Sequence, residues 1–129
     1  MPPRHVVIDT NFFLIPYQFK IDIFSELEGL VEIHHIYVIT SKTIKELEKL
    51  AQNRGKTGAA ARLALKIIQV NKERLEIVQS NSPVDRWIEK YAYEKGAIVC
   101  TNDKQLKSKL RENGIKVISL KGKKQLGYA

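Results

Sequence analysis

The chain has a single cysteine, Cys100, among its 129 residues. An intramolecular disulfide is therefore excluded, as is a zinc ribbon or iron–sulfur cluster that needs several cysteine ligands. The sequence also lacks an apolar run near the roughly 18 residues that span a bilayer, and its start lacks the apolar stretch of a signal peptide. We expect a cytoplasmic protein with no membrane partner, stabilised by the packing of its core.

Acidic side chains are few compared with basic ones. The chain has 14 Asp and Glu against 22 Lys and Arg, a formal net charge of +8. The excess lies in two segments: residues 42–76 have nine basic and four acidic side chains, and residues 101–129 have eight and two. This imbalance favours a polyanionic partner. The length suits one domain over residues 1–129, with a basic C-terminal tail at about 121–129.

Strand-like and helix-like patterns alternate along the chain. Strands are predicted at 5–8, 36–40, 75–78, 97–101 and 115–120, and helices at 20–31, 41–50, 59–70, 83–95 and 104–113. This alternation predicts an α/β fold, a three-layer α/β/α sandwich around a central, mainly parallel sheet.

Four carboxylates fall close to the carboxyl ends of the predicted strands, where ligands collect in open parallel sheets. Asp9 and Asp103 follow two apolar strands, while Glu46 and Asp85 lie in the first turns of two helices. Clustered carboxylates repel one another unless a cation compensates. Mg²⁺ and Mn²⁺ prefer oxygen ligands, so the pattern favours a divalent metal site.

Each of these acids also has a purely structural explanation. Asp9 can stabilise a turn, Asp103 can cap a helix, and Asp85 can complete a capping box with Ser82. Glu46 can be an exposed helix residue. The combination of all four at one edge is what favours the metal site.

The segments that carry these acids resemble a known family. They are Asp9-Thr10-Asn11 after an apolar strand, Glu46 within a helix, Asp85 at a helix start, and Thr101-Asn102-Asp103-Lys104-Gln105-Leu106 after a buried strand. In order and separation they resemble the PIN-domain nucleases over nearly the whole chain. Within that family, the closing Leu120-Lys121-Gly122-Lys123-Lys124 and the helix from Phe19 to Leu30 resemble the archaeal relatives of the ribosomal-RNA processing nuclease more than typical VapC toxins.

The resemblance implies a divalent-metal-dependent endoribonuclease that hydrolyses RNA phosphodiester bonds, in rRNA processing or as a VapC-type toxin. It implies that Mg²⁺ or Mn²⁺ is held by the catalytic acids Asp9, Glu46, Asp85 and Asp103, supported by Thr10, Asn11 and Thr101. The expected partner is single-stranded or structured RNA, with rRNA as one candidate. A homodimer, an antitoxin and a ribosome-assembly partner stay open.

Basic residues next to these segments are candidates for RNA binding. The Gly-Lys-Thr at 55–57 lacks the earlier glycine of a phosphate-binding loop and follows a helix, so a helix connection is predicted there. The candidate RNA-binding residues are Arg54, Lys56, Lys121, Lys123 and Lys124.

Two other functions fit parts of the pattern. A phosphoacceptor receiver domain needs an adjacent acidic pair after its first strand, but Thr10 follows Asp9. A non-catalytic RNA-binding adaptor of the same fold is the stronger alternative. Trp87 and Tyr91, at helical spacing, are predicted to be core residues in preference to a base-stacking platform.

Overall fold

The computed structural model describes residues 2–129. The strands are β1 Arg4–Ile8, β2 His35–Thr40, β3 Leu75–Val78, β4 Ile98–Cys100, β5 Val117–Lys121 and β6 Gln125–Tyr128. The helices are α1 Ile15–Phe19, α2 Ile23–Leu30, α3 Ser41–Ala51, α4 Gly55–Val70, α5 Val84–Lys95 and α6 Lys104–Glu112, with 3₁₀ helices at Thr10–Leu14 and Lys72–Arg74. No helix among these residues is long and apolar enough to span a membrane.

The six strands form one sheet in the order β3-β2-β1-β4-β5-β6. Strands β1 to β5 are parallel, and only β6 pairs antiparallel, with β5. Because β1 and β4 are neighbours with Ile8 opposite Cys100, the residues that follow these two strands emerge side by side. The predicted mainly parallel sheet is confirmed.

Helices cover both faces of the sheet, as the three-layer prediction requires. On one face, Phe12, Leu27, Leu47 and Ala64 bring the first 3₁₀ helix, α2, α3 and α4 into one buried cluster. On the other face, α5 and α6 bury a second cluster against Val7, Val38 and Val99. The alternating inward side chains of β1 supply both clusters, as expected for a strand buried on both faces.

Several helix starts differ from the sequence prediction. The helix predicted at 20–31 begins at Ile23, because Lys20 is left-handed (φ 56°) and Asp22 caps the helix by accepting from the Ser25 amide. The 3₁₀ helix and α1 before it were not predicted. Helix α3 is capped by Thr40 and not by Ser41, since the Thr40 hydroxyl accepts from the Thr43 amide at 3.1 Å.

Helix α4 begins at Gly55, inside the predicted break at 53–58. Gly58 packs against the end of α3 so closely that a Cβ there would lie 1.8 Å from the Asn53 carbonyl oxygen. The Arg62 guanidinium also donates to the Ala51 carbonyl at 2.8 Å. A missing side chain and a long-range hydrogen bond therefore hold α3 and α4 together.

The capping box predicted at Ser82 and Asp85 is wrong. Pro83 is the N-cap residue of α5, with no side-chain cap, and its extended backbone (φ −53°, ψ 137°) keeps Ser82 outside the helix. The Asp85 carboxylate instead accepts from the Arg86 amide at 2.9 Å. Asp85 therefore forms no capping box with Ser82.

The basic tail predicted at 121–129 is also wrong as a structure. The chain turns at Gly122 (φ 59°) and Lys123 (φ 63°) and returns as β6. Leu126 is buried, and its amide donates to Glu26 Oε1 at 2.7 Å. Burial of Leu126 and satisfaction of the outer edge of β6 by Glu26 explain why this segment is ordered as a strand.

Candidate active site

The loops that follow β1 and β4 meet at the carboxyl edge of the sheet. The Asp9 amide donates to the Cys100 carbonyl at 2.9 Å, which extends the pairing of the two strands by one residue. Beyond this point, Thr101 Oγ1 donates to Asp9 Oδ2 at 2.7 Å. The parallel register therefore places Asp9 and Thr101 in direct contact.

Asp9 is a buried carboxylate with both oxygens bound. Its side chain is 7% exposed. Oδ1 accepts from the Thr10 amide at 2.9 Å, at the start of the 3₁₀ helix, and Oδ2 accepts from Thr101. Burial raises the pKa of Asp9 above its ordinary value; the two hydrogen bonds oppose the rise, and the charges of Asp103 and Glu46 add to it. The ionised Asp9 carboxylate is thus fixed by two hydrogen bonds, but its burial and its acidic neighbours disfavour its charge.

Glu46 reaches the same site from α3. Thr10 Oγ1 donates to Glu46 Oε1 at 2.6 Å, so one threonine contacts Asp9 through its amide and Glu46 through its hydroxyl. The neighbouring Leu47 is fully buried and fixes this turn of α3 against the core. Glu46 is therefore not a purely solvated helix residue.

Asp103 is both a helix cap and a neighbour of Asp9. Its Oδ1 accepts from the amides of Gln105 and Leu106 at 2.9 and 3.1 Å, which caps α6. Its own amide donates to Thr101 Oγ1 at 3.0 Å. The cap uses only Oδ1 and the residue is exposed, so Oδ2 can coordinate a cation.

Two asparagines join the site loops. Asn11 Oδ1 accepts weakly from the Asn102 amide at 3.4 Å, and Asn102 Oδ1 accepts from the Leu120 amide at 2.9 Å. Asn102 was not predicted as a site residue, although its place between Thr101 and Asp103 is a signal that was available. It connects the loop after β4 to the end of β5.

A family model described as a PIN like domain matches residues 6–123. The chain belongs to the PIN-like domain family.

Named relatives of this PIN-like domain include ribonucleases and rRNA-processing proteins. It is 37% identical to ribonuclease VapC9 of Archaeoglobus fulgidus over 95% of this chain and 87% of that protein. It is 36% identical to rRNA-processing protein fcf1 of Schizosaccharomyces pombe over 92% of this chain and 60% of that protein. The solved structure of the PIN domain endonuclease Utp24 superposes with a TM-score of 0.79 at 32% identity, over 99% of this chain and 92% of that one. The predicted resemblance to the PIN-domain family is confirmed, and two of these relatives, VapC9 and Utp24, are named as nucleases.

Asp85 is the one predicted acid that the PIN-like domain does not bring into contact with this network. It is exposed in the first turn of α5. On that helix it lies one turn before Glu89, which approaches Lys109 of α6 at 3.8 Å. Asp85 therefore faces the side of α5 next to α6, whose own first turn is capped by Asp103.

The side chains around Asp9 have the oxygen donors that a divalent metal prefers, but they do not form a complete set of metal ligands. Among residues 2–129, no three His, Cys, Asp or Glu side chains form a ready-made metal site. The donors near Asp9 are all oxygens, and Mg²⁺ commonly binds through one or two carboxylates while it keeps several waters. The uncompensated charge of Glu46 and Asp103 beside Asp9 is what a cation would offset.

The predicted RNA-binding residues lie on two surfaces of the PIN-like domain. Lys121, Lys123 and Lys124 form the exposed β5–β6 turn, which leaves the same edge of the sheet one residue after the Leu120–Asn102 contact. Arg54 and Lys56 are exposed at the start of α4. There Lys56 lines, with Lys20 and others, a cavity of about 590 Å³.

Cys100 has no part in this chemistry. It is fully buried in β4, and burial raises the pKa of its thiol well above the ordinary value. A protonated, enclosed thiol is inert as a nucleophile, so Cys100 is a small core residue.

Proposed function

We propose that this PIN-like domain is a divalent-metal-dependent endoribonuclease that hydrolyses RNA phosphodiester bonds. The observation that supports this most strongly is the position of Asp9. It is a buried carboxylate, bound on both oxygens, whose pKa is raised further by Asp103 and Glu46. Repulsion between these carboxylates destabilises the fold, and a bound cation would offset it.

In this proposal Asp9, Glu46 and Asp103 hold Mg²⁺ or Mn²⁺, and Asp85 completes the site from the first turn of α5. A bound ion of this kind activates water and stabilises charge on phosphate oxygens. Thr101 and Thr10 are positioning residues, since their hydroxyls fix the orientations of Asp9 and Glu46. Asn11 supports the loop that carries Asp103 through its contact with Asn102.

The basic residues supply the affinity for the substrate. Lys121, Lys123 and Lys124 extend from the edge of the sheet that carries the acids, and Arg54 and Lys56 add a second basic surface. Together they would hold RNA phosphates on either side of the cleaved bond and offset the repulsion between RNA and the acidic site. The similarity to ribonuclease VapC9 and to rRNA-processing protein fcf1 supports two roles that share this chemistry, VapC-type toxin action and rRNA processing. In this proposal either role is cytoplasmic.

The activity is tested with a 5′-labelled single-stranded RNA oligonucleotide incubated with the purified chain in Mg²⁺, Mn²⁺ or EDTA. Wild-type protein should cut internally in either metal and not in EDTA. Asp9→Asn and Asp103→Asn should lower the rate at least about 100-fold, because each removes a charged ligand. The matched control is Asp22→Asn, which changes an exposed helix cap on α2 in the same way. Equal cleavage by all four proteins would refute the assignment of the site.

A non-catalytic RNA-binding adaptor is the second candidate. The absence of a ready-made three-ligand site among residues 2–129 is the observation that favours it. An adaptor would bind the oligonucleotide with the same affinity in EDTA and in Mn²⁺ and would leave it intact. Cleavage that requires metal and is lost in Asp9→Asn excludes this alternative.

A further inference from the structure

A cavity of about 420 Å³ lies along α5. By helical spacing its lining residues lie on the side of α5 opposite Glu89, which approaches Lys109 of α6. The cavity wall combines two aromatic side chains, Trp87 and Tyr91, with two basic ones, Arg86 and Lys90. The network around Asp9 uses none of these four residues. Trp87 and Tyr91 were predicted to be core residues, and both do pack against the second core cluster. They also line this open cavity.

The two aromatic rings are fixed in a parallel stack. The ring centroids of Trp87 and Tyr91 are 4.4 Å apart, with 18° between the planes. On its other side Tyr91 stacks on His5 at 5.7 Å, and its hydroxyl is 2.6 Å from His5 Nδ1. The stack is therefore anchored to β1. An indole held in this way offers a flat apolar surface with little entropy left to lose on binding.

The cavity wall, with two cations and one acid, favours an anionic ligand, although the charge of Glu76 is near enough to add to the rise in the pKa of Tyr91. Arg86 and Lys90 are exposed, and neither forms an ion pair within the part of the chain that the structure describes. Glu94, at the far end, is the only acid in the wall. Aromatic surfaces beside free cations are the usual means of binding single-stranded nucleic acid, in which bases stack and phosphates pair with Arg or Lys.

The cavity begins at the start of α5, the helix whose first turn carries Asp85. Trp87 is two residues after Asp85, on the opposite side of the first turns of α5. A helix with its side chains is about 10 Å across, so a strand that crosses the start of α5 from Asp85 reaches the cavity within a few nucleotides. The positive end of the α5 helix dipole would favour phosphates along that path.

We propose that this cavity binds a base of the substrate RNA, a few nucleotides from the cleaved bond. The base stacks on Trp87, and the phosphates beside it pair with Arg86 and Lys90. This proposal rests on the proposed ribonuclease function for its substrate, yet base binding here can be measured without cleavage.

The fluorescence of Trp87 tests the proposal directly, because the chain has no other tryptophan. The protein is titrated with a short single-stranded RNA in Ca²⁺ or EDTA, and with an abasic strand of equal length and charge. Stacking should quench the fluorescence with the RNA and leave it nearly unchanged with the abasic strand. Equal quenching by both strands, or by neither, would overturn the proposal.

Substitutions supply a second, independent measurement by the anisotropy of labelled RNA. Trp87→Leu should weaken binding at least about fivefold, and Trp87→Phe much less, since a ring remains for stacking. Tyr93→Leu is the matched control: Tyr93 is 71% exposed on the same helix and does not line the cavity. Circular dichroism checks folding, and if Trp87→Leu unfolds, Arg86→Ala and Lys90→Ala should still each weaken binding.

The outcomes separate this proposal from the proposed function. Metal-dependent cleavage with unchanged fluorescence and unaltered binding by the Trp87 variants would refute the base site and leave the nuclease intact. Base-dependent quenching without cleavage in any metal would support the base site and favour the adaptor.

Discussion

Thr101 Oγ1 donates to Asp9 Oδ2 at 2.7 Å across 92 residues of sequence. Thr101 Oγ1 also accepts from the Asp103 amide at 3.0 Å. One fully buried hydroxyl therefore fixes the spacing of two acids that repel each other. Thr101 is therefore a positioning residue: it orients the acids through hydrogen bonds and is not itself proposed to bind the metal.

Thr101→Val should destabilise the protein and raise the pKa of Asp9 further. Valine has nearly the same shape but cannot donate to the buried carboxylate, and such a loss costs about 1–3 kcal/mol in the free energy of unfolding. Urea denaturation measures this difference. Thr101→Ser keeps the hydroxyl and should recover most of the stability and the cleavage rate. Equal stability of the valine variant and wild type would show that the hydrogen bond contributes nothing.

Asp9→Asn should stabilise the metal-free protein near neutral pH. Burial raises the folded-state pKa above the ordinary value of 3.8, so ionised Asp9 disfavours folding. The penalty is absent below about pH 4, grows as the pH rises from there to the folded pKa, and is constant above it. A gain on the order of 1 kcal/mol corresponds to a melting temperature higher by roughly 4 °C.

Thermal melts in EDTA across the acidic range check this pH dependence. The advantage of Asp9→Asn over wild type should shrink as pH falls towards 4. Asp22→Asn, at an exposed cap, should show no such trend. An advantage that grows on acidification would contradict the direction of the pKa shift.

Millimolar Mn²⁺ should raise the melting temperature of the wild-type protein. A ligand that binds only the folded state stabilises it by about 2.7 kcal/mol at 100 times its dissociation constant. Asp9→Asn should lose this response. Asp85→Asn tests the fourth acid: a reduced response would support its role as a ligand, and a wild-type response would remove it from the site.

Neutralising the β5–β6 turn should weaken RNA binding and its salt dependence. Each phosphate contact contributes roughly 0.7 to the slope of log affinity against log salt on single strands, so loss of three contacts flattens it by about 2. Lys121→Gln, Lys124→Gln and Lys123→Asn remove the charges, the last because asparagine tolerates the positive φ at that position. Deletion of residues 121–129 is unsuitable because it removes β6.

A triple variant of equal charge controls for non-specific effects. Lys72, Lys95 and Lys116 are exposed near the opposite edge of the sheet and are changed to Gln. Equal slopes for the two triple variants would mean that the turn lysines make no special contact with RNA. The surface around Arg54 and Lys56 would then be the better candidate.

The sequence predicted the parts of this protein that depend on local pattern. Runs such as Val6-Val7-Ile8 and Ile98-Val99-Cys100 are apolar throughout, because a strand covered on both faces meets no solvent. Their alternation with helical patterns was sufficient for the order of β1 to β5 and α2 to α6 and for the α/β class, but not for α1 or β6. The identities of the residues just after those runs were sufficient to select Asp9 and Asp103 as candidates.

Local pattern failed where a distant residue decides the conformation. The sequence predicted a basic tail at about 121–129, because Glu26, which accepts from the Leu126 amide, and the core that buries Leu126 are distant in the chain. The helix start at Ser82 failed for a related reason: the serine was available as a cap, but the extended backbone of Pro83 placed it outside.

The sequence by itself therefore determined which acids this protein has and at which strand ends they stand. Only the tertiary structure decided which of them act on one another. The β1–β4 register brings Asp9 to Thr101, and the packing of α3 brings Glu46 to Thr10. Asp85 stands apart on α5. Such contacts join residues far apart in the chain, and their energies exist only once the core has packed.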